Sequence, residues 1–231
     1  MIKPILTEQK SNCNMLVFGM KGFGKTSLVR GIIHELDRVI MLDTLQYEYT
    51  EENDGKIVTT YEDLVRELTA AEKDKGHFRL VARIPKDTRW FGLLEGMEKT
   101  TFVVEEMDTY ADLYNLPDAI RDFYAYGRHR QNNLIAVTRN AQEIHPKIRK
   151  GTDVIISLYQ DEPNVLDYLR KINRPVTDQL SKLKKGEWRI LKGKRYLEEF
   201  LSAQLGKKVV IDIQTTDGLE ELRQQENNDD N

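Results

Sequence analysis

At 231 residues the chain is long enough to bury one substantial core and needs no second domain. Its 35 basic and 38 acidic residues leave a net charge of −3, which excludes a polycation, so any contact with nucleic acid has to come from a locally basic surface. A single cysteine, Cys13, excludes an internal disulfide framework; with neither a leader pattern nor an apolar run near the roughly eighteen residues of a span, the expectation is a soluble, intracellular chain without membrane insertion.

Residues 1–14 are mixed and polar, a lead-in to the apolar run Met15-Leu16-Val17-Phe18, which predicts a central parallel strand. Gly19-Met20-Lys21-Gly22-Phe23-Gly24-Lys25-Thr26 follows, a full match to the G-x-x-x-x-G-K-[ST] phosphate loop, and then Ser27 and a helical stripe at Leu28, Val29, Ile32, Ile33 and Leu36. Strand, glycine-rich loop and helix together predict binding of a nucleoside triphosphate. The glycines let backbone N–H groups and the helix N-terminus face the phosphates. Lys25 would reach the β- and γ-phosphates, and the Thr26 hydroxyl would ligate Mg²⁺.

A second strand is predicted over 39–43, running into a polar loop through Tyr49. Residues 43–74 hold ten acids against three bases, a surface unattractive to nucleic acid. Thr59 and Glu62 have capping-box spacing before a helix with Tyr61, Leu64, Val65, Leu68 and Ala71 on its apolar face. Phe78–Arg83 alternates as a third strand, and Trp90, Phe91, Leu93, Leu94 and Met97 have near-helical spacing and read as core.

Thr101-Phe102-Val103-Val104 runs straight into Glu105 and Glu106, which places two carboxylates at the carboxyl end of a buried strand, where open α/β sheets bind ligands. In phosphate-loop enzymes the first such acid serves Mg²⁺ and the second accepts the proton of the attacking water, here Glu105 and Glu106. The usual first acid is Asp, so Glu105 is longer by one methylene. A helix is predicted over 117–131, a buried strand over 134–140 ending at Thr138-Arg139-Asn140, a short helical turn at 145–149 and a further strand over 153–159. Thr138, Arg139 and Asn140 are candidates to sense the γ-phosphate, Arg139 foremost because it carries charge. His34, His77, His129 and His145 lack partners at metal-ligand spacing, so no zinc site is expected.

The order of these motifs carries a resemblance. The phosphate loop, Leu42-Asp43 followed after four intervening residues by Glu48-Tyr49, the two-carboxylate strand, Gly127-Arg128 preceding Leu134-Ile135-Ala136-Val137-Thr138, and His145-Pro146-Lys147-Ile148-Arg149 together resemble the HerA/FtsK superfamily of DNA-pumping ATPases. Within it, the small size is similar to the genome-packaging ATPases of membrane-containing icosahedral viruses. Two departures stand out: the Asp43–Glu48 segment carries extra residues, and Arg139 stands where the family often has Gln. The resemblance implies an α/β fold with a RecA-like P-loop NTPase core, a mainly parallel central sheet flanked by helices, of the additional-strand, catalytic-glutamate type. It also implies a homo-oligomer, a hexameric ring, with ATP and Mg²⁺ as cofactors and double-stranded DNA as the moved substrate. A viral motor would contact capsid or vertex proteins, and work in the host cytoplasm or at the packaging vertex of a virion.

Residues 170–195 carry ten bases and two acids, a strip suited to a phosphate backbone or to a merely solvated face. Residues 212–231 form an acidic tail expected to be disordered, leaving 15–211 as the ATPase domain. Arg128 and Arg130, at the end of the predicted 117–131 helix, are candidates to complete a neighbouring subunit's site in a head-to-tail ring. Two other functions fit the motifs: a cellular HerA-like or plasmid-mobilising translocase, and, from a different class, a nucleotide-dependent assembly switch.

Overall fold

A computed structural model of the chain describes residues 12–211 apart from 75–76, 85–86, 94–95 and 207, with the backbone alone at 74, 93, 128 and 205. Most of the lead-in, the acidic tail and Leu94 therefore lie outside the described residues. The strands in chain order are β1 (Asn14–Phe18), β2 (Arg38–Leu42), β3 (Lys56–Val58), β4 (Phe78–Ala82), β5 (Thr101–Val104), β6 (Asn133–Thr138), β7 (Val154–Ser157) and β8 (Arg189–Lys192). They form one sheet in the order β3-β4-β2-β5-β6-β1-β7-β8, every pairing parallel except β7 with β8. The helices are α1 (Lys25–Ile33), α2 (Tyr61–Asp74), α3 (Arg89–Leu93), α4 (Asp118–Tyr126), α5 (Pro146–Gly151), α6 (Pro163–Leu180) and α7 (Lys194–Leu205).

Side chains alternate across a strand, so each central strand feeds two cores. Leu16, Phe18, Ile40, Leu42, Phe102, Val104, Leu134 and Ala136 face the layer that includes α2, α4 and α6. Met15, Val17, Met41, Val103, Ile135 and Val137 face α1, through Leu28, Val29, Ile32 and Ile33, and α7, through Leu197, Phe200 and Leu201. Crossover helices on both faces bring the carboxyl ends of the parallel strands to one edge of the sheet. The position of β6 matters most: it lies between β1, which leads into the phosphate loop, and β5, which leads into the paired carboxylates. This inserted strand is the feature expected of a RecA-like core of the additional-strand type.

Several local expectations shift. The cap of α2 is Thr60, whose hydroxyl accepts the Asp63 N–H at 3.1 Å, so the capping pair sits one residue later than Thr59 and Glu62. Within the apolar run at 87–99 the short helix α3 spans Arg89–Leu93, and Trp90, Phe91 and Met97 are buried as core. The predicted helix over 117–131 stops at Tyr126 and tightens into a 3₁₀ turn over Gly127–Arg130. The sheet also extends beyond residue 159. Within the predicted basic strip, α6 kinks at Asn173, two residues before Pro175, where a proline removes a helical N–H and disfavours helix before it. Asn173 uses the kink to donate to the Leu191 carbonyl of β8 at 3.2 Å, fixing the antiparallel edge strand.

Candidate active site

The phosphate loop joins β1 to α1 as its sequence requires. Gly19 has φ +154° because β7 runs alongside β1; a Cβ there would come within 2.8 Å of Leu158 Cβ. Gly24 enters α1 at φ +98°, a left-handed conformation that favours glycine. The first turn of α1 holds no acidic residue and no side chain caps it, so its N–H groups face the loop. Lys25 Nζ donates to the carbonyls of Gly19 at 2.7 Å and Met20 at 3.3 Å, curling the loop around the ammonium. Burial pulls the Lys25 pKa below its ordinary value, with Glu105, Glu106 and Glu48 pulling it back up and Arg139 adding to the decrease. Met20, Phe23, Gly24 and Thr26 are half-buried, whereas Lys21, Gly22 and Ser27 are exposed.

Across β6 stand the two carboxylates. Glu105 is only 5% exposed. Its Oε1 accepts the Tyr49 hydroxyl at 2.7 Å, and the Thr44 hydroxyl donates to its backbone carbonyl at 2.8 Å. Burial pushes its pKa up to about 7, against the Tyr49 bond, which favours the ionised form. Glu106 adopts φ +51°, ψ +51°, a left-handed conformation rare for a residue with a side chain, and the kind of local strain that collects at working sites. The turn takes its carboxylate out of the strand direction to Arg139, 3.4 Å away. Arg139 is half exposed, and Gln160, buried beneath it, donates to its backbone carbonyl at 2.9 Å. Thr138 donates to Asp108 at 2.6 Å.

A third segment, 43–50, completes the group. Asp43 is fully buried, ion-paired with Arg83 Nε at 3.1 Å, and accepts the backbone N–H groups of Glu48 at 3.3 Å and Tyr49 at 3.4 Å. Arg83 also donates to the Tyr49 carbonyl at 2.6 Å, and Arg30 of α1 donates to the Glu48 carbonyl. This frame carries Glu48 to the phosphate loop, where its carboxylate accepts the Thr26 hydroxyl at 3.0 Å. Glu48 is the residue that reasoning from sequence left out of the site. Its signal was the Asp43 to Glu48-Tyr49 spacing, but nothing in the sequence pairs Asp43 with Arg83 forty residues away.

Lys25, Thr26, Glu105, Glu106 and Arg139 are thus brought to one edge of the sheet. Arg128 and Arg130 are not. Their turn precedes the amino end of β6, with the Arg130 carbonyl accepting the Lys99 N–H at 2.9 Å, and the full length of β6, roughly 17 Å at strand spacing, separates them from Thr138. The Arg128 side chain lies outside the described residues. The basic strip also divides. Arg170 pairs with Asp167 and Asp178, Lys194 with Glu198 and Arg195 with Glu199, whereas Lys171, Lys182, Lys184 and Lys185 are exposed and carry no ion pair among the described residues.

No protein-family model matches the chain. No curated protein matches it either. Solved structures do. The genome packaging NTPase B204 from Sulfolobus turreted icosahedral virus 2, in complex with ATPγS, superposes with a TM-score of 0.62 at 20% identity, over 78% of this chain and 91% of that one. VirB4 of Thermoanaerobacter pseudethanolicus superposes with a TM-score of 0.52 at 14% identity, over 80% and 91%. The pCW3 conjugation coupling protein TcpA, also with ATPγS, gives 0.50 at 16% identity, over 91% and 65%. At these identities the likeness establishes a common fold: this chain is built like known phosphate-loop proteins of genome packaging and conjugation.

Proposed function

We propose that this chain is an ATP-hydrolysing ring motor that translocates double-stranded DNA, packaging a viral genome into a preformed capsid. One observation carries the reading. The inserted β6 sets Glu105, Glu106 and Arg139 opposite Lys25 and Thr26, so nucleotide phosphates cradled by the loop would have carboxylates on their far side. In that arrangement Lys25 leaves the Gly19 and Met20 carbonyls for the β- and γ-phosphates. Glu106 accepts the proton of the attacking water, and Arg139 releases Glu106 to approach the γ-phosphate.

The oxygen donors Thr26, Glu48 and Glu105 fit Mg²⁺, since the Thr26 hydroxyl already lies against a carboxylate. Bound with the nucleotide, the ion would supply positive charge that offsets the charge of the phosphates. Thr26 would hold it directly, with Glu105 and Glu48 acting through its water shell. The fold shared with a packaging NTPase bound to ATPγS supports ATP as the nucleotide. The four unpaired lysines at 171–185 support a DNA backbone as the track. Hydrolysis measured with and without duplex DNA, alongside native mass with and without ATP, tests the reading. DNA-stimulated turnover and a closed ring, a hexamer, are expected. Turnover unaffected by DNA would instead indicate an assembly switch.

The likeness to VirB4 and to a conjugation coupling protein supports a second reading, a plasmid-mobilising translocase with the same chemistry. A gene neighbourhood of capsid proteins, rather than of conjugation proteins, decides between them.

A further inference from the structure

The phosphate loop is tethered at two points outside its own strand and helix. Met20 donates its N–H to the Tyr159 carbonyl at 3.1 Å, with Phe23 stacked on the Tyr159 ring at 4.4 Å and 10° between planes. The second tether comes from the segment joining α6 to β8: Gly186 donates its N–H to the Phe23 carbonyl at 3.0 Å. The two backbones run side by side there, a Cβ added to Gly24 lying 3.6 Å from Gly186 Cα.

This segment is stiff and basic. Lys182 N–H donates to Gln179, Leu183 to Leu180 and Glu187 to Lys184, while the Glu187 carboxylate accepts the Lys184 N–H at 2.8 Å. Leu183 and Trp188 anchor it in the two cores on opposite faces of the sheet. Between those anchors stand Lys184 and Lys185, with Lys182 just before them, all exposed and without ion pairs among the described residues. The Glu187 bond fixes Lys184 to the turn containing Gly186. A ligand that shifts the backbone at Lys184 would therefore act on the turn that carries the Gly186 amide.

We propose that duplex DNA held by Lys182, Lys184 and Lys185 acts on the phosphate loop through the Gly186–Phe23 hydrogen bond and lowers its affinity for nucleotide. The inference rests on the motor reading and adds the route by which track and fuel communicate. DNA draws the lysines outward, the Gly186 amide leaves Phe23, and the side-chain-poor loop loses the tether that holds its closed shape. Nucleotide release is then coupled to engagement of the track.

The test uses the full chain at low salt, measuring ADP affinity with and without a saturating short duplex. The duplex is expected to weaken ADP binding by about fivefold or more, and ADP to weaken duplex binding by the same factor, because equilibrium coupling is reciprocal. Glu187→Ala removes the carboxylate bond to the Lys184 N–H while keeping all three lysines and the backbone bond from residue 187 to the Lys184 carbonyl, so the protein should bind both ligands with a clearly reduced coupling factor. Gly186→Ala provides an independent cut. Gly186 has φ +85°, which a side chain disfavours, so the amide shifts and the coupling should again collapse. A wild-type factor near one, or a wild-type factor retained in both folded variants, overturns the proposal. A wild-type chain that binds ADP and duplex independently sinks only this link, whereas one that binds no nucleotide sinks the motor reading.

Discussion

Residues 19–26 and residues 43–50 meet at the carboxyl edge of the sheet, joined by the hydrogen bond from Thr26 to Glu48, and they are held by different forces. The first is a backbone device: glycines in left-handed conformations, carbonyls wrapped around Lys25, an uncapped helix start. The second is a side-chain device. Its loop is held by the buried Asp43–Arg83 pair and the Tyr49–Glu105 bond, both from residues distant in sequence. The comparison teaches where robustness lies, because a contiguous backbone cradle fails only at its own residues, while the assembled segment can be broken from forty or more residues away.

The sharpest way to test that contrast is to cut each side at its chemical centre. Lys25→Ala should abolish nucleotide binding, since the other ammonium of the loop, Lys21, is exposed and the Gly19 and Met20 carbonyls hold Lys25 alone. Glu106→Gln should keep ATP bound but slow hydrolysis by on the order of 10² to 10⁴, the usual contribution of a positioned base. Nucleotide titration and single-turnover hydrolysis separate the two. Wild-type turnover by Glu106→Gln would move the base to Glu105 or to Glu48.

Breaking the frame of the second segment should cost stability as well as rate. Asp43→Ala leaves Arg83 without its buried partner and frees two backbone N–H groups, a loss on the order of 3 kcal/mol in urea denaturation. Hydrolysis should fall with it, because Glu48 and Tyr49 lose their support, while Lys25 keeps its two carbonyl bonds. If Asp43→Ala leaves both stability and rate intact, the frame is not what positions Glu48.

That division also explains which parts of the site are legible in the sequence. The phosphate loop, β1, α1 and the Glu105–Glu106 strand end were legible because each pattern is local: a run of β-branched and apolar residues, a glycine spacing, a helical stripe. The sequence locates Glu106 at the end of β5, but its left-handed turn toward Arg139 is not legible there, since that depends on what crowds the end of the strand. β3 escaped notice because three residues, Lys56-Ile57-Val58, give too short a pattern and take their place by pairing with β4. Glu48 appeared only as part of a resemblance. The charge count at 170–195 is blind to geometry: it does not tell Arg170, paired with two aspartates, from Lys184, whose ammonium has no ion pair among the described residues.

Glu105 offers a pH-dependent test of the buried side of the site. With a folded pKa near 7 against an ordinary 4.5, the folded protein keeps a proton that the unfolded chain releases between these values. Stability of the nucleotide-free, metal-free protein should therefore fall as pH rises from 4.5 to 7, by up to about 3 kcal/mol at 1.4 kcal/mol per unit. Glu105→Gln should flatten this slope. Tyr49→Phe removes the bond that favours the ionised form, so the falling window should move to higher pH. Denaturation midpoints that decline equally in wild type and Glu105→Gln would assign the effect to another group.

The smallest effect expected lies in the basic strip, where free and paired cations can be compared within one surface. A lysine that meets a DNA phosphate releases a counterion, and each lost contact lowers the log–log salt slope of binding by roughly 0.9. Neutralising Lys182, Lys184 and Lys185 together should thus reduce the slope by close to three such contacts. Arg195→Gln, although it also removes one positive charge, should move the slope little. Its guanidinium is already bonded to Glu199 at 2.6 Å, so its charge is largely compensated before DNA arrives. Equal changes per charge from the two sets of substitutions would show that DNA senses only the net charge of the strip. A slope that responds to the lysines alone would show that it reads which cations the fold has left unpaired.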